Sequence, residues 1–188
     1  MFMKKKQSKD AGDVQLLITR ASRTIYFFIA LYMLSIIIFD SGNLITRETV
    51  IQRWTLATIL LLINTAVWFG ASQKWRLAAG KMPVILAATL LAFAGFTTYW
   101  ERGMASSSTI FYTLPILVIA LSKNRHALQA FAILSAGTYA FASVKYFNDN
   151  FNEGYRVQLW GTILLVSASV ATISWLTMIL AGLRHDSK

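Results

Sequence analysis

The chain has no cysteine, only two prolines and few charged residues along its 188 positions. The absence of cysteine excludes disulfide frameworks, thiolate metal sites and a cysteine nucleophile. Two prolines and ten glycines are too few for a low-complexity linker. Charged residues make up 14% of the chain and hydrophobic residues 56%, a balance that excludes an ordinary soluble domain.

Six apolar runs account for most of the chain. They cover approximately residues 21–40, 54–73, 82–100, 104–122, 126–147 and 157–183. Each is close to the roughly 20 residues that an α-helix needs to cross about 30 Å of hydrocarbon. The runs therefore predict an all-α, polytopic integral membrane protein built as a six-transmembrane-helix bundle. In this interpretation a basic arm (1–20) precedes the membrane domain (21–183), and a short tail (184–188) follows it.

The basic residues are distributed unevenly between the gaps that separate these runs. Thirteen of the 18 basic residues lie in the arm or at the start of the first run, in every second gap and in the tail: Lys4, Lys5, Lys6, Lys9, Arg20, Arg23, Lys74, Arg76, Lys81, Lys123, Arg125, Arg184 and Lys188. In the remaining gaps, cations and acids balance. Short basic loops stay in the cytoplasm. The pattern therefore predicts cytoplasmic N- and C-termini in a bacterial-type plasma (inner) membrane.

The same distribution argues against nucleic acid as a partner. The cations are spread over the loops of one membrane face and form no stripe with interleaved aromatic residues. Membrane lipids are the expected partners. Within the arm, Lys4, Lys5, Lys6 and Lys9 are predicted to contact anionic head groups.

No Asp, Glu, Lys, Arg or His falls well inside any predicted span, which disfavours a proton-coupled carrier. The two histidines, His126 and His185, lie at helix ends without a second metal ligand nearby in sequence. No Gly-x-Ser-x-Gly motif, Walker-type glycine loop or His-Glu-x-x-His motif occurs. We therefore predict no enzyme activity, no catalytic residue, no metal and no cofactor.

Seven residues are candidates for a ligand-binding cavity, because they combine apolar surface with a few polar groups. They are Asn64, Trp68, Thr97, Tyr99, Trp100, Tyr112 and Trp160. Asn64 is the one strongly polar side chain near mid-membrane, and its alternative role is an interhelical hydrogen bond. The alternative for the aromatic residues is an interfacial belt that faces lipid. Other serine and threonine hydroxyls are expected to bond to their own helix backbone.

Local signals predict how several helices begin, bend and pack. Ser106, Ser107 and Ser108 supply acceptors for the start of the fourth helix, and Pro115 is expected to kink it. The last span is longer than the others and is expected to tilt or project. Small residues predict packing faces on two helices: Ala132, Ala136, Ala140 and Ser143 on the fifth, and Ser167, Ala171 and Ser174 on the sixth.

The second half of the chain carries a recognisable series of motifs. They are Phe111-Tyr112-x-Leu114-Pro115, Lys123-x-Arg125-x-Ala127-Leu128, Arg156-x-Gln158-Leu159-Trp160 and Leu183-Arg184. Residues 82–188 thereby resemble the six-helix membrane sensor modules that precede histidine-kinase or GGDEF domains in bacterial signalling proteins. The resemblance implies a non-enzymatic module in signal transduction. Such a module perceives a ligand or membrane state and passes motion to the cytoplasm through its last helix.

These observations lead to a first hypothesis and an alternative. The first is a small multi-pass plasma-membrane protein that acts as a sensor-like or partner-binding module without its own catalytic domain. The sequence ends at Lys188 without an output domain, so we expect it to act through a separate signalling subunit. The alternative is a substrate-binding membrane subunit of a transporter. The ligand and the oligomeric state stay open.

Overall fold

The structure, a computed structural model, describes residues 2–73, 81–150 and 156–182, with side chains from residue 15 onward in those ranges. The described residues form six α-helices: α1 (Phe2–Ser41), α2 (Arg47–Ser72), α3 (Met82–Trp100), α4 (Thr113–Ala120), α5 (Arg125–Asn150) and α6 (Arg156–Leu180). Two 3-10 segments, Gly103–Ala105 and Ser107–Tyr112, precede α4. The predicted all-α class is confirmed for this part of the chain.

Five of these helices are long and apolar enough to cross a membrane. They are Gln15–Ser41 within α1, followed by α2, α3, α5 and α6, and they contain 19 to 27 residues. Their outer faces expose large apolar side chains, among them Ile133, Phe141 and Leu164, each more than 70% exposed. Soluble proteins rarely expose so much contiguous apolar surface, whereas hydrocarbon covers it without cost. The chain therefore has the helices of a multi-pass membrane protein.

The chain divides into two compact units, Met1–Leu86 and Ala87–Lys188. In the first unit, α1 and α2 run antiparallel, because Ser22 bonds to Asn64 while Phe39 contacts Arg53. The α1 core is a stripe of isoleucines at helical spacing: Ile18, Ile25, Ile29 and Ile36, each at most 5% exposed. The side chain of Thr46 caps α2 by accepting a hydrogen bond from the Thr49 backbone N–H at 3.3 Å.

The second unit contains most of α3, both 3-10 segments and α4–α6. Helix α6 packs on both α4 and α5. Of the predicted packing faces, Ser143 and Ser174 are buried. The alanines Ala132, Ala136 and Ala140 are half-buried beside the stripe that α5 buries, and Ser167 of α6 is also half-buried, whereas Ala171 is exposed. The buried stripe of α5 consists instead of Leu128, Phe131, Ser135, Tyr139, Ala142, Ser143 and Phe147.

The fourth apolar run, 104–122, is not one continuous α-helix. It consists of two 3-10 segments followed by the eight-residue helix α4. Ser106 caps the second 3-10 segment, since its Oγ accepts the Ser108 backbone N–H at 3.0 Å, as the serine cluster predicted. Pro115 falls in the first turn of α4, where a missing N–H is tolerated, and no kinked helix forms around it. Local hydroxyl bonds compete with the α-helical pattern upstream of the proline.

Other boundaries also differ from the predicted spans. Helix α1 passes through the junction at residue 20 without a break, because residues 2–20 contain mostly good helix formers and no proline. Helix α2 begins at Arg47, before the predicted start at 54, and α6 ends at Leu180. Residues 74–80, with Lys74 and Arg76, lie outside the described residues, as does the tail with Arg184, His185 and Lys188. The side chains of Lys4, Lys5, Lys6 and Lys9 also lie outside them.

Candidate ligand-binding site

Asn64 is fully buried between α1 and α2 of the first unit. Its Nδ2 donates a hydrogen bond to the Ser22 backbone carbonyl at 3.1 Å, which joins the two helices. The Asn64 Oδ1 and the Ser22 hydroxyl have no partner among the described residues. Trp68 follows Asn64 by one helical turn, and its buried Nε1 likewise has none within the described ranges. The geometry at Asn64 is that of an interhelical hydrogen bond.

The second unit buries a cluster of five hydroxyls, which we call the hydroxyl cluster. Its members come from α3, the second 3-10 segment and α5, and each is 0% exposed: Thr98, Tyr112, Ser135, Tyr139 and Ser143. No hydrogen-bond partner for any of these five hydroxyl oxygens is found in the described part of the chain. A buried hydroxyl left unpaired costs about 1–3 kcal/mol. Unpartnered buried atoms also occur in the first unit, but these five are all hydroxyls, and this makes the hydroxyl cluster the candidate site of the second unit.

The two tyrosines lie at the centre of this cluster. Their rings pack edge to face with centroids 5.5 Å apart and an interplanar angle of 85°. The Thr98 hydroxyl neighbours that of Tyr112, and the Ser143 hydroxyl neighbours that of Tyr139, but neither pair reaches hydrogen-bond geometry. The cluster thus offers donors and acceptors without any charged group among its members.

Helical spacing explains how α5 supplies three of the five groups. Ser135, Tyr139 and Ser143 are four residues apart, so they lie on one face of the helix, one above the other. Tyr112 comes from a different element, as the last residue of the second 3-10 segment, and its ring packs on that of Tyr139. Tyr112 therefore places the interrupted fourth segment beside the hydroxyl cluster.

The remaining predicted site residues lie apart from the cluster. Thr97 bonds to its own helix, donating to the Phe93 and Ala94 carbonyls at 2.8 and 3.0 Å. Tyr99 donates to Asp149 Oδ2 at 2.8 Å near the end of α3. The Trp100 ring packs on Phe96 with centroids 5.5 Å apart. Trp160 is 58% exposed on α6, as a residue of an aromatic belt would be.

Tyr112 is both a predicted site residue and a member of the hydroxyl cluster, whereas two other members differ from their predicted roles. Thr98 and Ser135 were expected to bond to their own backbone, as Thr97 and Thr113 do. In the structure their hydroxyls face the bundle interior without a partner among described residues. The four-residue spacing of Ser135, Tyr139 and Ser143 could have identified Ser135, whereas nothing in the sequence distinguishes Thr98 from Thr97.

Within the described residues, no group of three or more His, Asp or Glu side chains could hold a metal ion. No family model, curated protein or solved structure matches this chain.

Proposed function

We propose that the protein is a six-span plasma-membrane protein with both termini in the cytoplasm. The charge asymmetry between alternate gaps supports this orientation. Because a 3-10 helix rises about 2.0 Å per residue and an α-helix about 1.5 Å, Ser107–Ala120 extends roughly 24 Å. The proposed sixth span therefore needs residues on both sides of this segment, within the apolar run 104–122, to reach the roughly 30 Å of the hydrocarbon layer.

Reporter fusions test the orientation. Fusions at Lys9, Gly80, Asn124 and Lys188 should report a cytoplasmic location, and those at Gly42, Gly103 and Asn152 an external one. The pair at Gly103 and Asn124 is decisive, since these residues flank the interrupted segment. If both report the same side, the segment is re-entrant and the six-span topology is wrong.

Within this topology, the proposed function is perception of a small uncharged ligand by a sensor-like module. The observation that carries it is the hydroxyl cluster: five fully buried hydroxyls without partners among the described residues. A ligand with several hydroxyl or amide groups would satisfy them, and that gain favours the bound arrangement. The cluster has no carboxylate, imidazole or amine that could act as a general base, which favours binding over catalysis.

The packing around the cluster links a bound ligand to the movement of α6, the helix that would pass the signal to the cytoplasm. Tyr112 is continuous with α4, Tyr139 belongs to α5, and α6 packs on both helices. A ligand inserted between Tyr112 and Tyr139 would change the spacing of α4 and α5, and α6 would follow. The resemblance to sensor modules supports the same direction of signalling, toward a separate partner protein.

The test compares tyrosine-to-phenylalanine variants inside and outside the cluster. A library of uncharged small molecules bearing hydroxyl or amide groups is screened against the protein in mild detergent by thermal shift. Binding of a hit should be lost in Tyr112→Phe and Tyr139→Phe but kept in Tyr26→Phe, the control in the first unit. A hit that binds all three variants equally, or a screen without a hit, contradicts the proposal.

The interrupted fourth segment also favours a second candidate, a substrate-binding subunit of a transporter. Discontinuous membrane helices commonly form substrate sites near the bilayer midplane. Uptake of the identified hit into cells that express the protein would support this candidate. Co-purification of a kinase or cyclase, detected by mass spectrometry, would support the sensor-like module.

A further inference from the structure

A cleft of about 370 Å³ lies between α3 and α5 on the outer surface of the second unit, separate from the hydroxyl cluster. Its lining residues are Ala92, Gly95, Phe96, Tyr99, Thr138, Phe141, Ala142 and Lys145. Phe96 and Phe141, 52% and 72% exposed, form its rims. Gly95 and Thr138 form its floor, where a Cβ on Gly95 would lie 2.8 Å from Thr138 Cγ2.

The cleft changes from apolar to polar along its length. Most of the lining is apolar, and Tyr99 and Lys145 stand near the C-terminal ends of α3 and α5. Both bond to one carboxylate: Lys145 Nζ lies 3.0 and 2.9 Å from Asp149 Oδ1 and Oδ2, and the Tyr99 hydroxyl donates to Oδ2 at 2.8 Å. The side chains of Lys145 and Asp149 are 54% and 34% exposed. Each therefore has capacity for another charged partner.

We propose that this cleft binds a phospholipid whose head group carries both a phosphate and a primary ammonium, as phosphatidylethanolamine does. One acyl chain would lie along the roughly 10 Å from Ala92 to Tyr99. The phosphate would contact Lys145, and the ammonium would donate to Asp149. The charge argument selects this head group: a neutral pair of opposite charges complements a zwitterion, whereas an anionic head group would meet the Asp149 carboxylate.

The experiment uses the full-length protein in nanodiscs that contain equal amounts of phosphatidylethanolamine, phosphatidylcholine and phosphatidylglycerol with identical acyl chains. After transfer to mild detergent, retained lipids are counted by native mass spectrometry. Phosphatidylcholine has the same charges but no N–H donor, and phosphatidylglycerol has no cation. We expect phosphatidylethanolamine to be retained roughly two- to fivefold over each of them, the preference that an exposed ion pair provides.

Two pairs of variants separate the head-group contact from the acyl-chain contact. Lys145→Gln should abolish the preference, whereas Arg125→Gln, an equal loss of charge at the other end of α5, should keep it. Ala92→Phe fills the cleft and should lower retention of phosphatidylethanolamine, whereas Ala88→Phe, one turn earlier on the exposed face of α3, should not.

Three results would overturn the inference. Equal retention of the three lipids means that the cleft holds only bulk lipid, and a Lys145-dependent preference for phosphatidylglycerol means that it is an anionic-lipid site. A cross-linked dimer that Ala92→Phe abolishes, without any change in bound lipid, means that a second copy covers the cleft. None of these results bears on the hydroxyl cluster, so the proposed function stands or fails separately.

Discussion

The two units treat buried polar side chains in different ways. In the first, the buried Asn64 donates to the Ser22 carbonyl, while the half-buried Tyr26 donates to the exposed Thr65, which in turn donates to the Leu61 carbonyl. Unpartnered atoms such as Asn64 Oδ1 and Trp68 Nε1 are scattered around these bonded groups. In the second unit, all five members of the hydroxyl cluster lack partners among the described residues.

The two units also differ in how continuous their helices are. The first is built on two uninterrupted helices, α1 and α2, whereas the second contains the 3-10 to α transition at Tyr112–Thr113. A hydrogen bond between membrane helices stabilises their association by roughly 1 kcal/mol, so a polar residue bonded in this way needs no further explanation. A group of unbonded hydroxyls beside an interrupted helix reduces stability, a loss that the proposed ligand would offset. The comparison thus favours packing as the role of Asn64 and, under the proposed function, binding as that of Tyr112.

The largest effect is expected where α3 and α5 approach closely, at Gly95 and Thr138. In Gly95→Ala the new Cβ would meet Thr138 Cγ2 at 2.8 Å, while a Cβ on Gly137 of α5 meets nothing within 4 Å. Both substitutions gain the same helix propensity. The free energy of unfolding in Gly95→Ala should therefore be about 1–3 kcal/mol below that of Gly137→Ala, through overpacking alone.

A second substitution checks the cause of this loss. Thr138→Ser removes the methyl group that the new Cβ would strike, so the double variant Gly95→Ala/Thr138→Ser should recover most of the stability. Denaturation in mixed detergent micelles measures the free energy of unfolding of the parent protein, the two glycine variants and the double variant. Equal stability of Gly95→Ala and Gly137→Ala would show that α3 and α5 do not pack as closely as the structure describes.

A smaller effect, of opposite sign in the two units, tests the comparison directly. Asn64→Leu removes a bonded group and should lower the free energy of unfolding by about 1 kcal/mol. Tyr112→Phe removes an unpartnered hydroxyl and should raise it by up to about 1 kcal/mol. Thermal melts in detergent without ligand measure both. A loss of stability in Tyr112→Phe would mean that its hydroxyl is bonded, and the contrast between the units would disappear.

The secondary structure was predictable where breakers and charges flank an apolar run. Helix α3 has its predicted bounds, 82–100, because Pro83 favours a helix start and Glu101-Arg102-Gly103 forms a turn, in which Arg102 and Gly103 adopt positive φ of 77° and 61°. The fourth run, 104–122, is as apolar as α3 but has a different structure. Hydropathy alone could not predict this, because it does not distinguish a 3-10 segment from an α-helix. The hydroxyls of residues 106–109 and the proline at 115 decide that difference locally.

The hydroxyl cluster was only partly predictable, for a geometric reason. Thr97 and Thr98 are adjacent and identical in type, yet one bonds to its own helix and the other faces the interior. Successive helical residues point about 100° apart, so which of the two faces inward depends on where α5 and the 3-10 segment lie. That placement is set by tertiary packing and leaves no mark on the residue type.

The smallest effect is expected at the polar end of the cleft. Asp149→Asn removes the carboxylate that accepts from Lys145 and Tyr99. Because these side chains are exposed and screened, their ion pair adds little to stability, and the melting midpoint should stay within experimental error of the parent protein at low and high salt. The same variant should lose the preference for phosphatidylethanolamine, so the two measurements separate stability from lipid binding. A midpoint lowered as far as in Gly95→Ala would contradict this, because the Tyr99–Asp149 bond would then hold α3 against α5 in place of the Gly95–Thr138 contact.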